Sequence, residues 1–355
     1  MDNFKKVQNL LQKFSVEAVL ISNGNNLRYV CGFAGATGYL YISEKRHAVI
    51  TDSRYSLQAE LEAEGYEIIT IGNGGYEEAI NDILKTEDIK RLGFEAWDML
   101  YGTYNGLNDR LIAKELVPFG HEITEMRKIK TPRELEFIKK AEAIGDQVFT
   151  EILDFIKPGI TELELAAQIE YLLKMRGGSA LSFPAIIASG VNSAMPHAVP
   201  TQKKIETGDF LTMDFGCIYE GYCSDMTRTI VVGKATEKQK EVYNTVLKAQ
   251  AAAIDFLKAG YKGKEVDKVA RDIIYGAGYE GCFGHGLGHS VGLHIHENPR
   301  LSPLEESIIM AGMTETVEPG IYIKGFGGVR IEDLVVVTDD GCENFTHSNK
   351  DLIEL

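Results

Sequence analysis

No stretch of this chain approaches the roughly 18 consecutive apolar residues that a membrane-spanning helix requires. A Cys-x-x-Cys pair is missing too. The five cysteines are an odd, scattered set, which argues against a cysteine-rich metal site and for reduced thiols in the cytoplasm. Cys217 and Cys223 flank an apolar hairpin, where thiols pack as small hydrophobes. Positive charge is in short supply: 37 Lys and Arg against 52 Asp and Glu leave a net charge of −15, which excludes nucleic acid and anionic membrane as partners. The N-terminus is not a signal peptide. In MDNFKKVQNLLQKFS, Phe4, Val7, Leu10, Leu11 and Phe14 recur at helical period with lysines between, which predicts an amphipathic surface helix. At 355 residues the chain is comfortable for two domains.

What is present is concentrated chemistry. Four of the eight histidines, His285, His289, His294 and His296, fall within GHGLGHSVGLHIHE (284–297), beside Glu297. Neutral imidazole is the commonest metal ligand and the usual proton shuttle near neutral pH. Gly284, Gly286, Gly288 and Gly292 each cost about 1 kcal/mol in a helix interior, so a helical two-histidine zinc motif is ruled out. The histidines sit on extended or looped backbone facing a cleft.

Hairpin geometry supplies partners. Residues 210–217 and 223–232 read as strands around the turn segment IYEGY. With the turn centred between Tyr219 and Glu220, Asp214 and Asp225 lie directly opposite each other. A second hairpin, 314–323 and 328–337 around KGFGG, places Glu318 and Glu332 each seven positions from Gly325 and again facing. Opposed like charges in apolar strands destabilise a sheet unless a cation lies between them. Four carboxylates balance two divalent ions, and one histidine, His289, completes the inner shell. A carboxylate-rich set with one imidazole suits Mn²⁺ better than a cysteine zinc site, with Co²⁺ or Zn²⁺ as alternatives. Two such ions about 3.5–4 Å apart share a bridging water, make hydroxide available at neutral pH and polarise a carbonyl, which is the chemistry of hydrolysis.

DFG (214–216), SDMTRT (224–229), GHGLGH (284–289), VEPG (317–320) and VRIED (329–333), in that order, resemble the motif set of the pita-bread metallopeptidases, and within them the Xaa-Pro aminopeptidases and Xaa-Pro dipeptidases (prolidases). The resemblance implies five metal ligands, Asp214, Asp225, His289, Glu318 and Glu332. Asp225 and Glu332 would bridge the ions, Asp214 would bind one, and His289 with Glu318 the other. It assigns His197, in SAMPHAVP, to substrate contact and proton shuttling, His296 to the scissile carbonyl or tetrahedral intermediate, and His285 to the pocket near the substrate's proline side. Glu318 counts among the catalytic groups as well as the ligands. His294 receives no role. The implied substrates are small peptides with proline at the second position, whose scissile bond is a tertiary amide without N–H. Arg300 and Arg330 are cations near the site, either of which could clamp a dipeptide's terminal carboxylate bidentately. The resemblance also implies a homodimer whose N-terminal domains help enclose the neighbouring cleft. Two other readings are a methionine aminopeptidase with the same metal centre, and a metal-free creatinase-like enzyme or binding scaffold. The latter requires ligand positions replaced by non-ligands.

The predicted architecture is an α/β N-terminal domain (1–124) followed by an α+β pita-bread catalytic domain (125–355) with a pseudo-twofold internal repeat. NNLRYVCGF (25–33) and TDSRY (51–55) resemble the N-terminal domain shared by creatinases and these peptidases. Thr131-Pro132-Arg133-Glu134 opens a helix with a capping box, running to about Ile156. The repeat shows as Asp154-Phe155-Ile156-Lys157-Pro158-Gly159 recurring as Asp255-Phe256-Leu257-Lys258-Ala259-Gly260, an offset of 101 residues. An acidic hairpin follows each copy, so two facing halves place one carboxylate pair on either side of a central cleft.

Overall fold

The computed structural model describes residues 3–355, which divide into two compact units, residues up to Arg127 and residues from Lys128 onward. The first unit runs α1 (Asn3–Phe14), β1 (Ala18–Ile21), α2 (Gly24–Cys31), β2 (Tyr39–Ser43), β3 (His47–Thr51), α3 (Ser56–Glu62), β4 (Glu67–Thr70), α4 (Gly75–Glu87), β5 (Arg91–Glu95), α5 (Tyr101–Arg110), β6 (Glu115–Phe119) and α6 (Glu122–Met126). Its six strands form one mixed sheet in the order β4-β3-β2-β1-β5-β6. α1 buries Val7, Leu10 and Leu11, the predicted apolar stripe. The NNLRYVCGF segment is a short capped helix. Asn23 accepts the backbone N–H of Asn26, and Gly32 closes the far end in the left-handed conformation that glycine adopts without strain.

The second unit contains two successive copies of one plan. In the first, α7 (Pro132–Ile152) and α8 (Glu162–Met175) lead through β7 (Ala180–Leu181) and β8 (Ile186–Ser189) to the hairpin β9 (Phe210–Phe215), β10 (Cys217–Tyr219), β11 (Tyr222–Cys223) and β12 (Met226–Val231). In the second, α9 (Glu237–Phe256) and α10 (Gly263–Gly276) lead through β13 (Gly288–Ser290) and β14 (Glu297–Leu301) to β15 (Thr314–Val317), β16 (Gly320–Ile323), β17 (Gly327–Arg330) and β18 (Asp333–Val337), with β19 (Cys342–Asn344) at the edge. The first helix of each copy opens on a threonine capping box, Thr131 with Glu134 and Thr236 with Gln239. α7 ends at Ile152, earlier than Ile156, and Leu153–Phe155 form a turn before Gly159. The repeat extends to the backbone: Gly159 and Gly260 both have positive φ, +99° and +95°. Each copy buries its own apolar cluster, one around Ile144, Val148, Leu165 and Phe215, the other around Val246, Val266, Phe283 and Val335. No helix among the described residues is long and apolar enough to cross a membrane.

The hairpin registers show one agreement and one correction. In the second hairpin, Gly320 pairs with Arg330 and Val317 with Asp333, which is the predicted register about Gly325. In the first, Thr227 and not Asp225 stands opposite Asp214. The turn is the two-residue Glu220–Gly221, both at positive φ, so the strands slide by one residue each relative to the predicted turn. A slide of that kind preserves the parity of every pair. Asp214 and Asp225 therefore keep the same face and become diagonal neighbours.

The seam between the two hairpins is polar and fully bonded. The Arg228 guanidinium is buried and uses all five N–H groups, on the carbonyls of Thr227, Glu332, Ser348 and Asn349 and the carboxylate of Asp333. Asp333 also accepts from Lys350 and Asn344. Burial raises its pKa, but Arg228 and Lys350 outweigh that and hold it below the usual carboxylate range.

Glu315 has no such partners. It is fully buried on β15 and neither carboxylate oxygen is hydrogen-bonded. Burial pushes its pKa well above the ordinary range, against the pull of Lys130. An acid raised in the folded state loses folding stability as pH climbs from the unfolded value, about 4.3, towards the folded one. Glu315→Met is therefore expected to stabilise the protein by about 1–3 kcal/mol in urea unfolding at pH 8. The gain should shrink towards pH 4; equal or lower stability of the variant at pH 8 would contradict this account.

Candidate metal centre

The two hairpins and β13 bring the five acidic and histidine positions into one cavity of about 400 Å³, lined also by His197, His285, His296, Arg300 and Arg330. Asp225, His289 and Glu332 each offer a ligand atom, all within 4.8 Å of one another. Glu318 Oε1 lies 3.6 Å from His289 Nε2, and Asp225 Oδ2 lies 3.5 Å from the same nitrogen. Asp214 stands on the other side, its Oδ2 accepting from Arg330 Nη2 at 2.6 Å. His289 reaches this position because β13 lies tight against β15: a Cβ on Gly288 would fall 1.9 Å from the Thr316 carbonyl oxygen.

The tautomer of His289 follows from its neighbours. Its Nδ1 lies 3.1 Å from the Ser290 carbonyl oxygen, which can only accept, so Nδ1 carries the proton. Nε2 then presents a lone pair to Asp225 and Glu318, so that once these acids ionise acceptor faces acceptors. Burial, reinforced by His296, lowers the His289 pKa to about 3, so the ring stays neutral. A divalent cation resolves this arrangement, and the second-atom bond to Ser290 is the usual support of a ligating imidazole.

The carboxylates agree. Burial raises Asp225, Glu332 and Glu318, Glu318 to about 8, and the acids raise one another further. Asp214 is raised by burial despite Arg330, and its Oδ1 is buried with no hydrogen-bond partner. Four oxygen ligands and one nitrogen, mutually repelling and with an orphaned carboxylate oxygen, fit a pair of hard or borderline divalent ions. Supporting groups hold them: Thr227 Oγ1 donates to Glu332 at 2.6 Å, and Glu142 accepts the backbone N–H of Asp225 at 3.2 Å.

The other predicted residues divide. His285 and His296 face the cavity; the Nε2 of His285 accepts from the Tyr322 hydroxyl at 2.9 Å, and the His296 ring lies 4.5 Å from that of His289. His197 is exposed on the rim. His294 is exposed and outside the cavity lining, bonded to the backbone of His296. Arg330 is corrected as a clamp for a substrate carboxylate. It is buried, and four of its five N–H groups are engaged by Thr227, Pro196, Tyr322 and Asp214. The Arg300 guanidinium, by contrast, is exposed and has no ion-pair partner among the described residues.

Tyr322 and Thr227 escaped the sequence reading. Strand alternation contains the signal. Tyr322 lies four residues from Glu318 and Thr227 two from Asp225, so both project from the ligand-bearing faces.

The raised acids make a prediction about protons. Burial and mutual repulsion favour the protonated forms of Glu318, Asp225 and Glu332, and an arriving cation displaces those protons, whereas His289 is already neutral and contributes none. Titration calorimetry with Mn²⁺ in buffers of different ionisation enthalpy should report release of on the order of one or two protons per chain. Affinity should tighten as pH rises from 6 to 8; buffer-independent enthalpies would count against the ligand set.

Residues 136–339 match the metallopeptidase family M24, and residues 4–129 match the creatinase/prolidase N-terminal domain. The chain is 40% identical to the Xaa-Pro dipeptidase of Pyrococcus horikoshii over 358 residues, covering 99% of each. Among solved structures it is similar to the Xaa-Pro dipeptidase from Bacillus anthracis, with TM-score 0.96 and 42% identity over 100% of this chain and 99% of that one. It is also similar to the X-Pro aminopeptidase from Thermotoga maritima, with TM-score 0.92 and 35% identity over 97% and 99%. The matched family model spans more than half of the chain and the relatives span nearly all of it: this protein belongs to metallopeptidase family M24, with a creatinase/prolidase N-terminal domain ahead of the catalytic one.

Proposed function

We propose that the protein is a dinuclear-metal exopeptidase that hydrolyses the bond between an N-terminal residue and a following proline in small peptides. The observation that carries this is the His289 lone pair turned onto Asp225 and Glu318 inside a cavity of buried, mutually repelling acids. The Xaa-Pro names of its relatives support the substrate class. Asp214, Asp225, His289, Glu318 and Glu332 would hold two divalent ions, Mn²⁺ by preference for an oxygen-rich set. When bound, the ions supply Lewis acidity and a water acidic enough to attack a carbonyl near neutral pH.

The chain's own groups do the rest. His296, beside His289, is placed to hydrogen-bond the scissile carbonyl as it gains charge. His197 on the rim contacts the substrate and moves protons. His285, fixed as the Nδ1–H tautomer by the Gly286 carbonyl and bonded to Tyr322, shapes the proline side. The apolar lining from Phe183, Pro184, Ile186 and Val199 offers a dry wall for a proline ring. Arg330 positions Asp214. Arg300, whose fork is free, is the group that takes a dipeptide's terminal carboxylate. The same reading takes the protein as a cytoplasmic homodimer; the absence of a disulfide among its described cysteines supports a reducing compartment.

Two measurements test this. Mn²⁺- or Co²⁺-loaded protein should hydrolyse Xaa-Pro dipeptides, and Arg300→Ala should lower their kcat/KM on the order of 10- to 100-fold while sparing Xaa-Pro-Xaa substrates. Equal losses on both substrates would remove Arg300 from carboxylate recognition, and no hydrolysis of either would end the peptidase reading. Asp225→Asn should abolish most of the activity yet unfold at the same or higher temperature without metal, because an amide carries no charge for Glu332, Asp214 and Glu318 to repel.

A further inference from the structure

We infer that Glu162 is a positioning residue: its one carboxylate fastens both ends of the loop 190–200 and so decides where His197 stands over the metal centre. The inference rests on the reading of His197 as a substrate-contacting group. Glu162 is fully buried at the start of α8, and it is no part of the ligand set. At the loop's entry it accepts from the backbone N–H and hydroxyl of Ser189, at 2.8 and 2.9 Å, and from the Asn192 amide at 3.0 Å. At the exit it accepts from the backbone N–H and hydroxyl of Thr201, at 3.0 and 2.7 Å. Lys203 reinforces the entry, bridging Ser189 and Asp209.

Between these anchors Ser193 and Ala198 are buried, but the residues around His197 are open to solvent. Met195 is 50% exposed and Val199 75%. Pro196, His197, Ala198, Val199 and Pro200 all line the cavity. Ser193, which accepts from the Gly328 N–H, and the Pro196 carbonyl, which accepts from Arg330, steady the middle of the loop, while a single carboxylate ties both of its ends to one helix.

The second half of the repeat carries a related device on the corresponding helix, though not at the position equivalent to Glu162. On α10, buried Asp267 accepts the backbone N–H of Leu287 at 3.0 Å. It also pairs with Arg271, which donates to the carbonyls of Phe283 and His285 at 2.8 Å each. The second helix of each half thus holds the segment carrying that half's outer histidine, His197 from α8 and His285 from α10.

Glu162→Gln tests this at constant size, because an amide nitrogen cannot accept from Thr201 or Ser189. Mn²⁺-loaded Glu162→Gln should lose roughly 10- to 100-fold in kcat/KM through misplacement of His197. Its Mn²⁺ affinity should stay within about twofold of the unsubstituted protein, since no ligand has moved. Combined with His197→Ala, it should add nothing to the loss caused by His197→Ala alone. In side-chain NMR of labelled histidines, the resonance that disappears in His197→Ala should shift in Glu162→Gln while that of His289 stays in place. The NMR arm does not depend on activity, so it separates failure of this inference from failure of the peptidase reading. Additive losses, or an unshifted His197 resonance, would overturn the inference. Thr201→Val, a milder change, should move the same resonance in the same direction and guards against a misfolded Glu162→Gln.

Discussion

Four carboxyl groups and a neutral imidazole nitrogen converge inside a cavity where burial strengthens every repulsion between the ionised acids. The rest of the catalytic unit exists to hold that unfavourable arrangement. Burial raises each acid, each acid raises its neighbours, and Arg330 compensates only in part, by its bond to Asp214 and its pull on Glu318 and Glu332. Positive charge from outside the chain is the remaining remedy, which is why affinity for cations and stability of the site are one property here.

Holding the arrangement is a task for the seam between two repeats. Each half contributes a hairpin with two acids on one face, and the halves are stitched where they meet by Thr227, Arg228 and Glu332. Arg228 tolerates burial because every N–H has an acceptor and Asp333 neutralises its charge. Thr227 serves both sides, donating to Glu332 and accepting from Arg330. The seam is therefore polar, satisfied and rigid, and directional bonds orient the ligands where apolar packing would not.

Around this centre the repeat divides the labour. Both helices of each half pack the core, and the second also fastens a histidine-bearing segment through a buried acid, Glu162 or Asp267. The histidines themselves are tuned by single backbone carbonyls. Ser290 and Gly286 take the Nδ1 protons of His289 and His285, leaving one Nε2 for a cation and the other for the Tyr322 hydroxyl.

The amino-acid order by itself determined the two-part architecture, the 101-residue repeat, the faces of both acidic hairpins and the clustering of histidines, because periodicity and turn chemistry are local properties. The second hairpin's register followed a turn centred on Gly325, whereas in IYEGY Glu220 at positive φ moved the centre by one residue. The tertiary structure alone decided which cation was free. Arg300 and Arg330 are equally basic in the sequence, but Arg330 is enclosed by Asp214, Tyr322, Thr227 and Pro196, contributed by segments more than a hundred residues away as well as by its own hairpin. Glu162 was invisible for the same reason: its partners lie 27 to 39 residues downstream, and a buried acid is distinguished from a surface one only when the chain has folded around it.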